Sequence, residues 1–453
     1  MLIRDAELDG RRTDVRLTGG RVAELASGLP RAPGEEVLDA AGGAVLPGLC
    51  DAHLHLSALA AAESSVSCGP PHVRDPAALT VALAAAPADE AGWVRGVGYV
   101  ESVAGVLDAA ALDRLHAGRP VRLQHRSGAL WIVNGSAVDR LGLATADAPG
   151  IERGPDGAPT GRLWRADDWL RTRLPPAPPP DLAGTGARLA RLGITSVVDA
   201  TPDLAQSALD ALAGAVATGA LPQRVTLLGA PLDGGLPVGL AAGPYKIVLA
   251  DSGLPALDDL VDRIRGAHAA GRAVAVHCVT REALVLLLVA LRTAGVVSGD
   301  RVEHAAVVPA ELIGELAALG LRVVTQPGFL ADRGDDYLRD VPAADHDDLY
   351  RCSSLLHAGV PVSLSSDAPY GPLDPWAVVS AAVDRRTRSG AVVAPAERIS
   401  PTQALAGYLG DRPVARGAPA DLLVLDRPLA EQLAAPTADA VRAVLIGGVQ
   451  ASP

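Results

Sequence analysis

The sequence is almost without lysine. Of its 40 basic residues one, Lys246, is lysine and the other 39 are arginine. It also lacks a basic excess. Its formal net charge is −12, which argues against a general affinity for nucleic acid or anionic membrane, because a phosphate-binding surface needs at least a local surplus of cations. Long apolar runs are missing too. Apolar residues make up 49% of the chain, yet Arg, Asp, Gly and Pro interrupt them well short of the roughly 18 in a row that a membrane span requires. The stretch from Met1 to Asp9 carries acidic residues where a secretory leader would place a basic segment and an apolar one. Finally, Cys50, Cys68, Cys278 and Cys352 show no paired spacing, so neither a disulfide framework nor a structural zinc module is expected, and buried thiols are the default. These absences predict a cytoplasmic protein whose partner is a small molecule, with homodimerisation left open.

The scarcity of lysine raises a chemical question. Arginine serves as well as lysine on surfaces and in ion pairs, so the one position where lysine is kept invites a role that a guanidinium cannot fill. An amine can lose its proton, act as a nucleophile, or add CO2 to become an anionic carbamate. Arginine, with a pKa above ~12, does none of these.

At 453 residues the chain suits one large barrel of about 250 residues or more, with insertions and a small accessory domain. Short β-like runs, Leu2 to Leu8, Asp14 to Thr18 and Val22 to Leu25, open the chain, with Gly19-Gly20 as a hairpin signal. Similar runs, 420–426 and 441–448, close it. The expected layout is a small β-sandwich-like domain from residues 1–48 and 409–453, and a central region, 49–408, inserted between its halves. That centre repeats a strand-then-helix rhythm. Its candidate strands are Val45 to Leu56, Thr195 to Ala200, Arg224 to Gly229, Tyr245 to Ala250, Ala273 to Cys278, Arg301 to Ala305, Arg322 to Gln326 and Pro361 to Ser366. Helices are expected over Leu257 to Ala270 and Arg281 to Ala294. Eight such units predict an α/β fold, a (β/α)8 TIM barrel, with a long insertion after the first strand at about 60–180. The segment Pro175 to Pro180 reads as a stiff return into the barrel.

The first candidate strand ends in Asp51-Ala52-His53-Leu54-His55. Two histidines at i and i+2 on a strand project to the same face and can reach one metal. Later strand ends carry Lys246, His277 and His304, with Asp367 just past the eighth. Any one of these is ordinarily a satisfied core or loop residue. Together, at strand ends that a barrel brings to one pocket, they read as metal ligands. Glu303, beside His304, is expected to face away and brace the barrel, since adjacent strand residues point oppositely; partnering a ligand is its alternative role.

This set resembles the amidohydrolase superfamily, whose barrels use His-x-His on strand one, a carbamylated lysine on strand four, histidines on strands five and six, and an aspartate on strand eight. Val45-Leu46-Pro47-Gly48, Arg301-Val302-Glu303-His304, Thr325-Gln326-Pro327, Ser365-Ser366-Asp367-Ala368-Pro369 and Gly417 to Leu422 extend the resemblance across nearly the whole chain. It is most similar to the family 3 branch that includes N-substituted formamide deformylases. Two phrases depart from that branch. His277 to Glu282 stands where it often has His-x-x-Gly-Asp, and Arg126 to Ala129 where Asp-Gly-His is common.

The resemblance implies a pair of divalent ions, zinc first and manganese, iron or nickel as alternatives, held by His53, His55, Lys246 as a CO2-derived carbamate, His277, His304 and Asp367. A shared anion relieves the repulsion between close cations, and a carbamate offers two oxygens to them. Metal binding would bring water to hydroxide near neutral pH, as nucleophile on an amide or cyclic amide carbonyl, with Asp367 as base and then acid. For the substrate pocket the candidates are His125, Arg126, Trp131, Arg281 and Gln326. Each has a plainer reading as a surface cation or packing group; an arginine facing the pocket would favour a carboxylated or polar acyl substrate. A lactone or ester would be cleaved by the same centre. A mononuclear deaminase would leave the lone lysine without a purpose, and an inactive scaffold would have lost ligands.

Overall fold

The computed structural model describes residues 1–176, 179–250, 253–410 and 412–452. The expected Pro175 to Pro180 return lies partly outside them, at residues 177 and 178. The chain divides into two compact units, one of Met1–Leu56 with Asp181–Pro453 and one of Ser57–Pro180.

In the larger unit parallel strands alternate with helices. The strands are β1 (Leu49–Leu54), β2 (Ile194–Asp199), β3 (Arg224–Leu227), β4 (Tyr245–Val248), β5 (Val274–Cys278), β6 (Arg301–His304), β7 (Arg322–Thr325) and β8 (Val362–Leu364). One parallel sheet runs β1-β2-β3 and ends on a short strand, Leu240–Ala242, that the sequence reading lacked. A second runs β4-β5-β6-β7-β8. Hydrogen bonds join the sheets at both edges. The Lys246 amide donates to Leu228 O at 3.0 Å, and across β8 and β1 the Asp367 amide donates to His53 O and the His55 amide to Ala368 O, both at 2.9 Å.

The strands are mostly buried, as parallel strands covered on both faces are, and their polar residues are few outside the site and the strand starts. The helix Arg281–Ala294 shows how the cover is made. Thr280 caps its start, its hydroxyl accepting from the Ala283 amide, and Gly295, at φ +88°, ends it. Leu284, Leu287, Leu288 and Leu291 recur at helical spacing and are buried. They share a core with Leu260, Val261 and Ile264 of the helix Leu257–Ala269 and with Val274, Val276, Val302 and Val323 of the strands.

Val45 to Leu56 is not one strand. Val45–Pro47 pairs with Leu422–Leu425 in a different sheet, β1 starts at Leu49, and Leu56 already begins a helix. The break is at Gly48, where a Cβ would lie 2.1 Å from Thr195 Cγ2. Only glycine lets the chain pass so close to β2. The chain ends build two four-stranded sheets, one from Leu2–Leu8, Arg11–Thr18, Arg21–Ala26 and Val37–Asp39, the other from Val45–Pro47, Leu422–Leu425, Val441–Ile446 and Val449–Ser452. Ile3, Val15 and Val22 of the first share a core with Leu422, Val424 and Leu445 of the second.

The smaller unit is a mixed sheet in the order Ile151–Arg153, Pro159–Trp164, Leu130–Val133, Val121–His125, Val94–Tyr99 and Val66–Ser67. Among the described residues no helix is long and apolar enough to cross a membrane.

Candidate metal centre

The carboxyl ends of β1 and β6 and the turn after β8 bring His53, His304 and Asp367 together; Lys246, expected at a strand end, is instead the second residue of β4, and its side chain meets theirs, all four being buried. His53 Nε2 lies 3.5 Å and His55 Nε2 3.3 Å from Asp367 Oδ1. Lys246 Nζ is 3.4 Å from His53 Nε2. The ring of His304 is 4.7 Å from that of His53 and 4.4 Å from that of His277, centroid to centroid. Ligand atoms of His53, His304 and Asp367 all fall within 4.8 Å of one another.

The other nitrogens of these rings are already engaged. His53 Nδ1 meets Glu303 Oε2 in a very short contact, His55 Nδ1 is 3.2 Å from Thr201 Oγ1, and His304 Nδ1 is 3.0 Å from Gln326 Oε1. A carboxylate can only accept, so the His53 Nδ1 carries the proton. The Gln326 amide nitrogen donates to Ser365 Oγ at 2.9 Å, which turns its oxygen toward His304 and assigns the same tautomer there. The Nε2 lone pairs of His53 and His304 are thereby left for a metal. Asp367 Oδ1, buried between two imidazoles, has no hydrogen-bond partner. A buried carboxylate oxygen facing imidazole lone pairs is the arrangement a cation satisfies.

Burial dominates the electrostatics. It pushes the pKa of Lys246 down, against the opposing pull of the Glu303 and Asp367 carboxylates. It also holds His53 well below the ordinary imidazole value, helped by Lys246, and lowers His304. Neutral imidazoles are the form that ligates. Burial opposes ionisation of Asp367, but His55, with Nε2 3.3 Å away, and the surrounding imidazoles outweigh it and the carboxyl shifts downward. Asp51 shows the contrary case: burial raises it to about 7 although the His53 and Ser366 amides donate to it.

Two of these residues sit on unusual backbone. His304 has φ +69° and Asp367 φ +53°, in the left-handed region that only a few per cent of non-glycine residues occupy. This corrects the expectation for Glu303. Strand alternation was expected to set it opposite His304, but the left-handed backbone at His304 brings that residue round to the side on which Glu303 already projects, and Glu303, fully buried, faces His53.

The proposed pocket residues fall in both units. Gln326 is buried behind His304 rather than on a rim. Arg281 is exposed at the start of its helix, paired with Asp345 and 3.9 Å from Asp348. His125, Arg126 and Trp131 belong to the smaller unit. There Trp131 is buried and donates to Asp167 at 2.8 Å, and His125 contacts Glu101 at 3.1 Å and Ser127 at 2.7 Å. Sequence reasoning passed over Thr201, Arg301 and Asp51. Asp51 is two residues before His53 on the same strand, so strand periodicity was the signal for it; Thr201 carried none.

Residues 36–451 match the family model described as "Amidohydrolase family". The N-substituted formamide deformylase of Arthrobacter pascens is 26% identical over 488 aligned positions, covering 91% of this chain and 90% of that protein. Among solved structures, an uncharacterized metal-dependent hydrolase from Pyrococcus horikoshii OT3 superposes with a TM-score of 0.71 at 19% identity, over 94% of this chain and 96% of its own. Another from Pyrococcus furiosus gives 0.69 at 21%, over 94% and 98%. With a family match that runs from residue 36 to residue 451 and a site able to bind a metal between its strand ends, the chain belongs to the amidohydrolase family.

Proposed function

We propose that this protein is a metal-dependent hydrolase that cleaves a C–N bond, amide or cyclic amide, in a small molecule, and that its parallel strands close into one eight-stranded barrel around the site. The hydrogen bonds from Lys246 to Leu228 and from Asp367 and His55 to β1 and Ala368 support the closure, since they continue the pairing across both sheet edges. One observation carries the functional reading: the unpartnered, buried Asp367 Oδ1 faces the Nε2 atoms of His53 and His55, with Lys246 Nζ beside His53. His53, His55, Lys246 as a carbamate, His277, His304 and Asp367 would hold the pair of ions.

When bound, such ions supply Lewis acidity and a water ionised near neutral pH. The residues of the chain do the rest. Asp367 is placed to take a proton from the attacking water on a carboxylate oxygen and return it to the leaving nitrogen. Glu303, Thr201 and Gln326 keep the three imidazoles oriented. Lys246, buried among them, meets CO2 through its amine nitrogen, which forms the new N–C bond and releases a proton to leave the carbamate. The preference for a C–N bond draws on the Arthrobacter relative, named for deformylating N-substituted formamides. Zinc is the first choice of metal, with manganese, iron and nickel behind it.

The test is a screen of zinc- or manganese-loaded protein, with bicarbonate supplied, against N-formyl, N-acyl, cyclic amide and lactone libraries. Turnover of an amide class that stops on chelation and returns with metal is the expected result. Turnover of lactones alone would contradict the C–N assignment, and turnover unaffected by chelators would contradict the metal.

A further inference from the structure

The three imidazoles with a resolved Nδ1 partner are not braced alike. His55 leans on a neutral hydroxyl, Thr201, and His304 on a neutral amide, Gln326. His53 alone among them leans on a carboxylate, Glu303, and both side chains are fully buried. The second oxygen of Glu303 is 2.5 Å from Arg301 Nε, and Arg301 in turn donates from Nη2 to Ala52 O at 3.2 Å, the residue just before His53. Arg301 and Glu303 are two apart on β6 and so project together.

An ion pair needed only to fill the barrel would gain most from a bidentate guanidinium–carboxylate fork. Here the carboxylate divides its oxygens, one to arginine and one to imidazole. An anionic acceptor on Nδ1 draws that proton toward itself and leaves more electron density on Nε2 than a neutral acceptor does, so His53 is the strongest nitrogen donor of the three. The Ala52 contact ties the same arginine to the backbone that carries His53, so donor strength and ring orientation are set by one unit.

We infer that Glu303, held by Arg301, is a positioning residue that orients His53 and raises its donor strength toward a metal, making the His53 side of the centre the tighter one. This rests on the metal-dependent reading above. The test compares wild type with Glu303→Gln, which keeps an acceptor of the same shape but removes the charge. Cobalt(II) binding is measured by chelator competition and by the visible ligand-field bands. Glu303→Gln should bind the tighter equivalent of cobalt about 10- to 100-fold more weakly, with its bands shifted. Thr201→Val, which removes a neutral partner, should weaken binding by less.

Equal affinity and an unchanged spectrum in Glu303→Gln would overturn the inference while leaving the metal-dependent reading standing. A wild-type protein that takes up no cobalt would overturn both. Should Glu303→Gln fail to fold because it strands Arg301, Glu303→Asp decides. That variant keeps the anion for Arg301 but falls one methylene short of His53, and its spectrum should shift as well; a spectrum identical to wild type would overturn the inference.

Discussion

Lys246 is where residue chemistry speaks most directly. It is buried on a parallel strand, 3.4 Å from an imidazole nitrogen, and an arginine there would keep a cation on a slightly longer side chain. Lys246→Arg should therefore leave the far-ultraviolet dichroism intact and abolish turnover, because a guanidinium cannot accept CO2. Full turnover in that variant would remove the carbamate from the mechanism. The candidate ligands were legible as a set: a His-x-His at a strand end, a single lysine and acidic and imidazole residues on later strands together announce chemistry in a row of letters. Their supports were not. Glu303 and His304 share one side because of a positive φ at His304, and Gln326 reaches His304 across 22 positions of sequence. Neither a dihedral nor a register between neighbouring strands is written in residue type.

Elements are held by local devices that act some distance from the site. The turn before Ser353–His357 is pinned by Glu397, which is buried and accepts from Arg351 Nη1 at 2.5 Å, from the Cys352 and Ser354 amides at 3.0 Å, and from Ser354 Oγ at 2.6 Å. Removing one partner of a buried pair costs about 3–5 kcal/mol, so Glu397→Ala should lower the melting temperature sharply. Burial opposes ionisation of Glu397, but the Ser354 and Arg351 bonds prevail and its pKa lies below the ordinary 4.5. A lowered folded-state value means that its stabilisation is complete above pH 4.5 and fades as the pH falls through that lower value. The gap in melting temperature between wild type and Glu397→Gln should accordingly narrow from pH 6 toward pH 3. A gap that stays constant would show that the charge contributes nothing. The strand and helix positions of this unit follow the hydrophobic rhythm closely, but the break at Gly48 does not, since it depends on how near β2 passes.

The whole molecule divides labour between a larger unit that contains both chain ends and a smaller one of residues 57–180. The strand-then-helix alternation of the larger unit was readable because its short β-branched runs alternate with stretches of helical periodicity. The smaller unit was readable only as a long insertion. Its sheet mixes parallel and antiparallel pairs, and no periodicity in a single strand says which neighbour it takes. The net charge of −12 adds to the field that a set of inward-facing carboxylates presents to divalent cations. Metal content is therefore the property of the intact chain on which everything else turns. Protein loaded with zinc in the presence of bicarbonate, freed of excess metal and analysed by plasma mass spectrometry should hold about two ions per chain, as a centre built to clamp a reacting group between cations requires. A chain that retains no stoichiometric metal under those conditions would contradict the assignment of this site as a hydrolytic metal centre.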